Sequence, residues 1–129
     1  MARARGRIGR DNYPVAILAG AHDLSADEGP ALGGGDTGPA PFELLAASLV
    51  ACTAITLRMY ADRKGWPVEA VEVDVHYIKE GDQPARIERT LTLTGALDPD
   101  QRARMADIAE RTPVTLAIRG GVPITTTLV

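Results

Sequence analysis

The chain has 129 residues, 45% of them hydrophobic and 24% charged, with a formal charge of −3 spread along its length. Those figures fit one globular domain spanning residues 1–129, and they offer neither the basic face of a nucleic-acid binder nor a polybasic membrane anchor. A single cysteine, Cys52, excludes an intramolecular disulfide framework and leaves one thiol whose state must be decided.

Residues 1–12 are read as a flexible, solvated segment. Their arginines, Arg3, Arg5, Arg7 and Arg10, have no aromatic residue beside them on which a base could stack. No apolar run follows these arginines as a secretory signal requires, so a cytoplasmic protein is expected. Tyr13–Leu18 and His22–Leu24 read as short strands around the Ala19-Gly20-Ala21 turn. From Ala26 to Pro41 glycine, proline and aspartate dominate and predict a loop. No Lys-Ser or Lys-Thr pair follows its glycines, which argues against a phosphate cradle.

Pro41 suits a first helical position, and Phe42 to Lys64 then runs without proline or glycine, with Arg63 and Lys64 where cations favour a helix C-terminus. At about 1.5 Å per residue this helix is roughly 35 Å long. Its middle, Leu44 to Leu57, is apolar or small on nearly every face and needs cover all round. Hydroxyls inside the stretch and Glu43 at its start argue against a membrane span. Alternation over Val68–Lys79 and again over Ile87–Thr94, either side of Gly81-Asp82-Gln83-Pro84, predicts an antiparallel hairpin with one wet face. Asp98-Pro99-Asp100-Gln101 is a capping box opening a helix to about Arg111, and Thr112-Pro113 caps a short helix ending near Gly120-Gly121. Val122–Val129 alternates as a closing strand. The order is α+β, an antiparallel sheet with a long central apolar helix. A chain this small cannot cover that helix alone, so a homodimer is expected.

His22, Cys52 and His76 lie in separate elements without metal-ligand spacing, so no metal and no cofactor are expected. Ser48 lies mid-helix without the nucleophile elbow of an acyl transferase. Cys52 is open to two readings: a small hydrophobe in an apolar helix, or a reactive thiol activated by a cation brought from elsewhere. Arg10 and Arg58 are the candidate cations; Arg58, six residues on, points away from Cys52 on their common helix.

The run Gly38-Pro39-Ala40-Pro41-Phe42-Glu43-Leu44-Leu45-Ala46-Ala47-Ser48-Leu49-Val50-Ala51-Cys52-Thr53-Ala54 resembles the reactive-cysteine signature of the OsmC and organic hydroperoxide resistance family. Leu57-Arg58-Met59-Tyr60-Ala61, Arg63-Lys64-Gly65-Trp66, Ala26-Asp27-Glu28 and Arg86-Ile87-Glu88-Arg89 continue the likeness. The resemblance implies an intertwined homodimer with sites at its interface. It also implies reduction of organic hydroperoxides by Cys52, with an arginine and a glutamate holding the thiolate and a second cysteine resolving it. By that resemblance the catalytic set is Cys52, Arg10 and Glu43.

Three departures bear on it. The resolving cysteine is replaced in Thr112-Pro113-Val114; the orienting glutamate's position holds Phe42, with Glu43 adjacent; and Gly9-Arg10-Asp11 only echoes the arginine motif. The expected partners are a second copy of the chain, a small hydrophobic hydroperoxide and an external thiol reductant, with neither nucleic acid nor membrane. The alternative is a non-catalytic dimer binding a small apolar molecule, with Cys52 as filler.

Overall fold

The computed structural model describes all residues, Met1–Val129, as two compact units, Met1–Leu45 and Ala46–Val129. The first holds a three-stranded antiparallel sheet in the order β1 (Ala4–Arg7), β2 (Val15–Ala19), β3 (His22–Ala26). Arg5 pairs with Leu18, and Ile17 with Leu24. The arginine segment, expected to be solvated and irregular, therefore contains a strand. Its side chains are all exposed, and the strand is held by main-chain pairing to β2, which side-chain patterning does not reveal.

The loop after β3 is organised around Asp27, which is 2% exposed. Its Oδ1 accepts the N–H groups of Tyr13 (3.1 Å) and Glu28 (2.7 Å). Its Oδ2 accepts those of Gly35 (3.3 Å) and Thr37 (3.1 Å) and the Thr37 hydroxyl (2.6 Å). One carboxylate thus supplies acceptors to a stretch of backbone that has no ladder to join. The tight wrap needs glycine: a Cβ on Gly34 would collide with the Glu28 carbonyl.

α1 (Pro41–Lys64) begins in the first unit and continues through the second. It ends at Gly65, in the left-handed conformation at φ 69°, with Trp66 N–H returning to the Ala61 carbonyl at 2.9 Å. By length and composition α1 could cross a membrane. Here only one stripe, Leu49, Thr53, Leu57 and Ala61, is buried. In the second unit β4 (Val68–Ile78) and β5 (Arg86–Gly95) form the expected hairpin, with Val73 opposite Leu91 and Val71 opposite Leu93. α2 (Pro99–Ala109) opens with the anticipated capping box: Asp98 accepts Gln101 N–H at 2.8 Å and Gln101 Oε1 accepts Asp98 N–H at 2.9 Å. The core joins Leu57 and Ala61 of α1, Val68 of β4, and Met105 and Ala109 of α2, with Trp66, Val71, Leu91 and Leu93 packed around them.

α3 (Pro113–Gly120) follows directly. Val122–Val129, expected as a closing strand, carries no regular structure; Ile124 and Leu128 are about nine-tenths exposed or more, at 89% and 97%. Alternation alone does not make a strand, because a strand also needs a neighbour for its hydrogen bonds.

The Thr37 hydroxyl and then the surrounding N–H groups, outweighing desolvation, hold the Asp27 carboxyl far below the usual carboxylate range. Because its folded pKa is depressed, Asp27 contributes stability that is fully present above the ordinary carboxylate value of about 4 and is lost as pH falls toward the folded value. Thermal melts of Asp27→Asn should lie below those of the parent at pH 7, and the two curves should converge as the pH is lowered below about 4. A constant offset at every pH would contradict this account.

Candidate functional site

Cys52 sits mid-way along α1, part-buried, one residue before the fully buried Thr53. Its Sγ accepts a hydrogen bond from Val114 N–H at 3.5 Å. Val114 is in the first turn of α3, where backbone N–H groups have no partner inside the helix and carry partial positive charge. Sulfur at such a place finds a donor suited to a negative charge. Extended backbone at Thr112 (φ −68°, ψ 152°) leads into α3, and Pro113 starts the helix without needing its own N–H.

Thr112 is the N-cap residue of α3, as expected, but its side chain makes no hydrogen bond to the helix backbone. Fully buried, its hydroxyl instead meets the Thr115 hydroxyl at 2.6 Å. The reason lies one step further in, where Arg89 from β5 takes up Thr115.

The Arg89 guanidinium donates from Nη1 to Thr53 Oγ1 (3.1 Å) and Thr115 Oγ1 (2.9 Å), and from Nη2 to the Ala109 carbonyl (2.8 Å). Its side chain is 11% exposed and lies 3.8 Å from Glu110 Oε1. Glu110 also pairs with Arg119. The hydrogen bond from Arg119 and the charges of Arg119 and Arg89 hold the Glu110 carboxyl below its ordinary carboxylate range, although partial desolvation pushes the other way. Beside this cluster lies a cavity of about 360 Å³, lined among others by Leu49, Ile87, Arg89, Thr115 and Ile118.

Arg10 is exposed in the segment between β1 and β2 and makes no ion pair. Glu43 stands in the first turn of α1, where its Oε1 accepts Ala40 N–H at 2.8 Å, a capping role. Arg58 is turned to the Val68 carbonyl (2.6 Å) and to Asp62. Arg89, part of the Arg86-Ile87-Glu88-Arg89 likeness but without an expected role, carries a signal in the sequence. On β5 the inward register runs Ile87, Arg89, Leu91, Leu93, and an arginine there is a cation on a core face.

A family model described as OsmC-like protein matches residues 33–127 of the chain. The chain belongs to the OsmC-like family. Solved OsmC-like structures share its α+β fold. An OsmC-like protein from Mycoplasma pneumoniae is 14% identical, with 94% of this chain and 89% of that one covered, at a TM-score of 0.80. An organic hydroperoxide resistance protein OsmC from Legionella pneumophila is 24% identical, with coverage of 93% and 90%, at 0.66. An organic hydroperoxide resistance protein from Elizabethkingia anophelis, with thiocyanate bound, is 19% identical, with coverage of 94% and 89%, at 0.68. No curated protein matches the chain.

Within this OsmC-like fold Thr115 is the hub that joins Arg89, Thr112 and the Ala109 carbonyl, the last at 3.3 Å. Thr115→Val keeps the shape but removes the hydroxyl, leaving buried donors short of an acceptor, and should cost about 1–3 kcal/mol of stability. Denaturant unfolding measures it; a loss below about 0.5 kcal/mol would mean the hub is not under tension from its partners.

Proposed function

We propose that this OsmC-like protein reduces organic hydroperoxides with Cys52 and is returned to the thiol by an external thiol. The observation that carries the proposal is the Val114 N–H donated to Cys52 Sγ from the first turn of α3. A thiolate there attacks the distal oxygen of R–O–O–H. The S–O bond forms as the O–O bond breaks, sulfur loses two electrons, and the departing alkoxide takes a proton to leave as alcohol. An external thiol then attacks the sulfenic sulfur and releases water, and a second thiol displaces Cys52 and departs as the disulfide. Arg10, exposed and unpaired, remains the proposed cation beside the thiolate, and Glu43 its proposed orienting carboxylate.

A homodimer is part of the same proposal. Ile55 and Met59 of α1 are 54% and 59% exposed, and with Ala54 and Val71 they border an apolar groove in the second unit. A surface of this kind on a small chain is suited to a partner subunit. Sedimentation at micromolar concentration should show a dimer, and Met59→Asp should shift it toward monomer. A monomeric parent protein would contradict the dimer.

The second reading, a module binding a small apolar molecule, draws on the cavity beside Leu49, Ile87 and Ile118, which Arg86, Arg89, Glu110 and Arg119 also line and make amphipathic rather than apolar. Peroxide chemistry separates the two. With Cys52 as the sole cysteine, an organic hydroperoxide should add first one and then two oxygens to the intact mass. Thr112 precedes by two residues the N–H that reaches Cys52, so Thr112→Cys should form an internal disulfide and suppress the second addition. No mass change in the parent under excess hydroperoxide would sink the peroxidase reading and leave the binding module.

A further inference from the structure

We propose that Arg89 is the positioning residue for Cys52: through its fork of hydrogen bonds it holds α1 and the start of α3 in the register that brings Val114 N–H to the sulfur. The inference deepens the peroxidase reading and rests on it for its meaning in turnover, but its geometry is independent of any peroxide.

A guanidinium on the core face of a sheet is costly unless each of its donors finds an acceptor. Arg89 offsets much of that cost through Nη1 and Nη2, which reach three different elements. Thr53 belongs to α1 and is the residue next to Cys52; the Ala109 carbonyl is the last of α2; Thr115 is in the first turn of α3, next to Val114. The residues that flank the Sγ to N–H contact on both sides are therefore tied to one cation. The Ala109 carbonyl, at the negative end of α2, and Glu110 supply the counter-charge that keeps Arg89 in place.

Lysine cannot substitute fully. Its ammonium is a point donor on a flexible stem, whereas the acceptors here diverge around a planar fork. Removing the fork frees α3 to shift against α1, which lengthens the 3.5 Å contact from Val114 N–H to Sγ.

The test uses Arg89→Met, Arg89→Lys and Thr115→Val in the full chain. Two properties of Cys52 are read in the folded protein: its thiolate ultraviolet absorption at neutral pH and its alkylation rate with iodoacetamide, normalised to the same chain unfolded in guanidinium. Thermal melts run in parallel. Arg89→Met and Thr115→Val should lower both readings, the rate by roughly tenfold, the equivalent of one lost hydrogen bond to a charged group. Arg89→Lys should restore part of the loss. If Arg89→Met does not fold, Thr115→Val and Arg89→Lys decide the matter. Folded variants with lowered melting temperature but parental absorption and alkylation would overturn the inference, because a purely structural arginine predicts that result. The two ideas fail separately. A parent that reacts with hydroperoxide while the variants' thiols are unchanged removes the positioning role alone. A parent inert to hydroperoxide, with variants still losing alkylation, removes the peroxidase reading alone.

Discussion

A single buried cation organises the second unit of this protein. Arg89 occupies a position on β5 that the alternation of its strand reserves for an apolar side chain, between Ile87 and Leu91. Placing a guanidinium there demands acceptors, and the neighbouring elements supply them: the Thr53 hydroxyl from α1, the terminal carbonyl of α2 and the Thr115 hydroxyl from α3. The short α3 starts where it does because Pro113 needs no N–H partner and because Thr115 is engaged from below. With α3 so held, its first-turn N–H is presented to Cys52.

The first unit solves a similar problem with the opposite charge. Asp27 is a nearly inaccessible carboxylate at the end of β3, and the backbone of a glycine-rich loop folds round it to donate hydrogen bonds. In both places a charged group is buried only because polar backbone and hydroxyl groups converge on it. In both, the convergence fixes chain segments that hydrophobic packing alone leaves undetermined. The apolar core proper, Leu57, Ala61, Val68, Met105 and Ala109, joins α1, the hairpin and α2, but it carries no information about where the thiol's hydrogen-bond donor will stand.

Under the proposed peroxidase function, the arrangement around Cys52 separates two tasks. Oxidation of the thiol needs a donor that favours negative sulfur, and a main-chain N–H at a helix start provides one that no side-chain substitution elsewhere can remove directly. In that proposal, resolution of the oxidised sulfur falls to an external thiol, and the buried hydroxyl of Thr112 is bonded to Thr115. The hydroxyl is part of the scaffold that holds α3, so the fold of the site and its thiol chemistry meet at that one residue.

The sequence by itself determined the elements whose signals are local. The long helix from Pro41 to Lys64, the β4–β5 hairpin, the capping box at Asp98 and the Thr112-Pro113 start of α3 follow from periodicity, proline placement and capping residues. All four lie where those signals put them. The signature around Cys52 was likewise legible as a family resemblance. What only the tertiary structure decided are features that depend on distant partners. The strand at Ala4–Arg7 exists because β2 lies beside it, and Val122–Val129 stays irregular because alternation supplies no partner for its main chain. Arg89 reads as a charge out of phase until α1, α2 and α3 are seen to converge on it. The meeting of Cys52 with Val114 joins residues sixty-two apart in sequence, a separation at which no pattern along the chain can show contact.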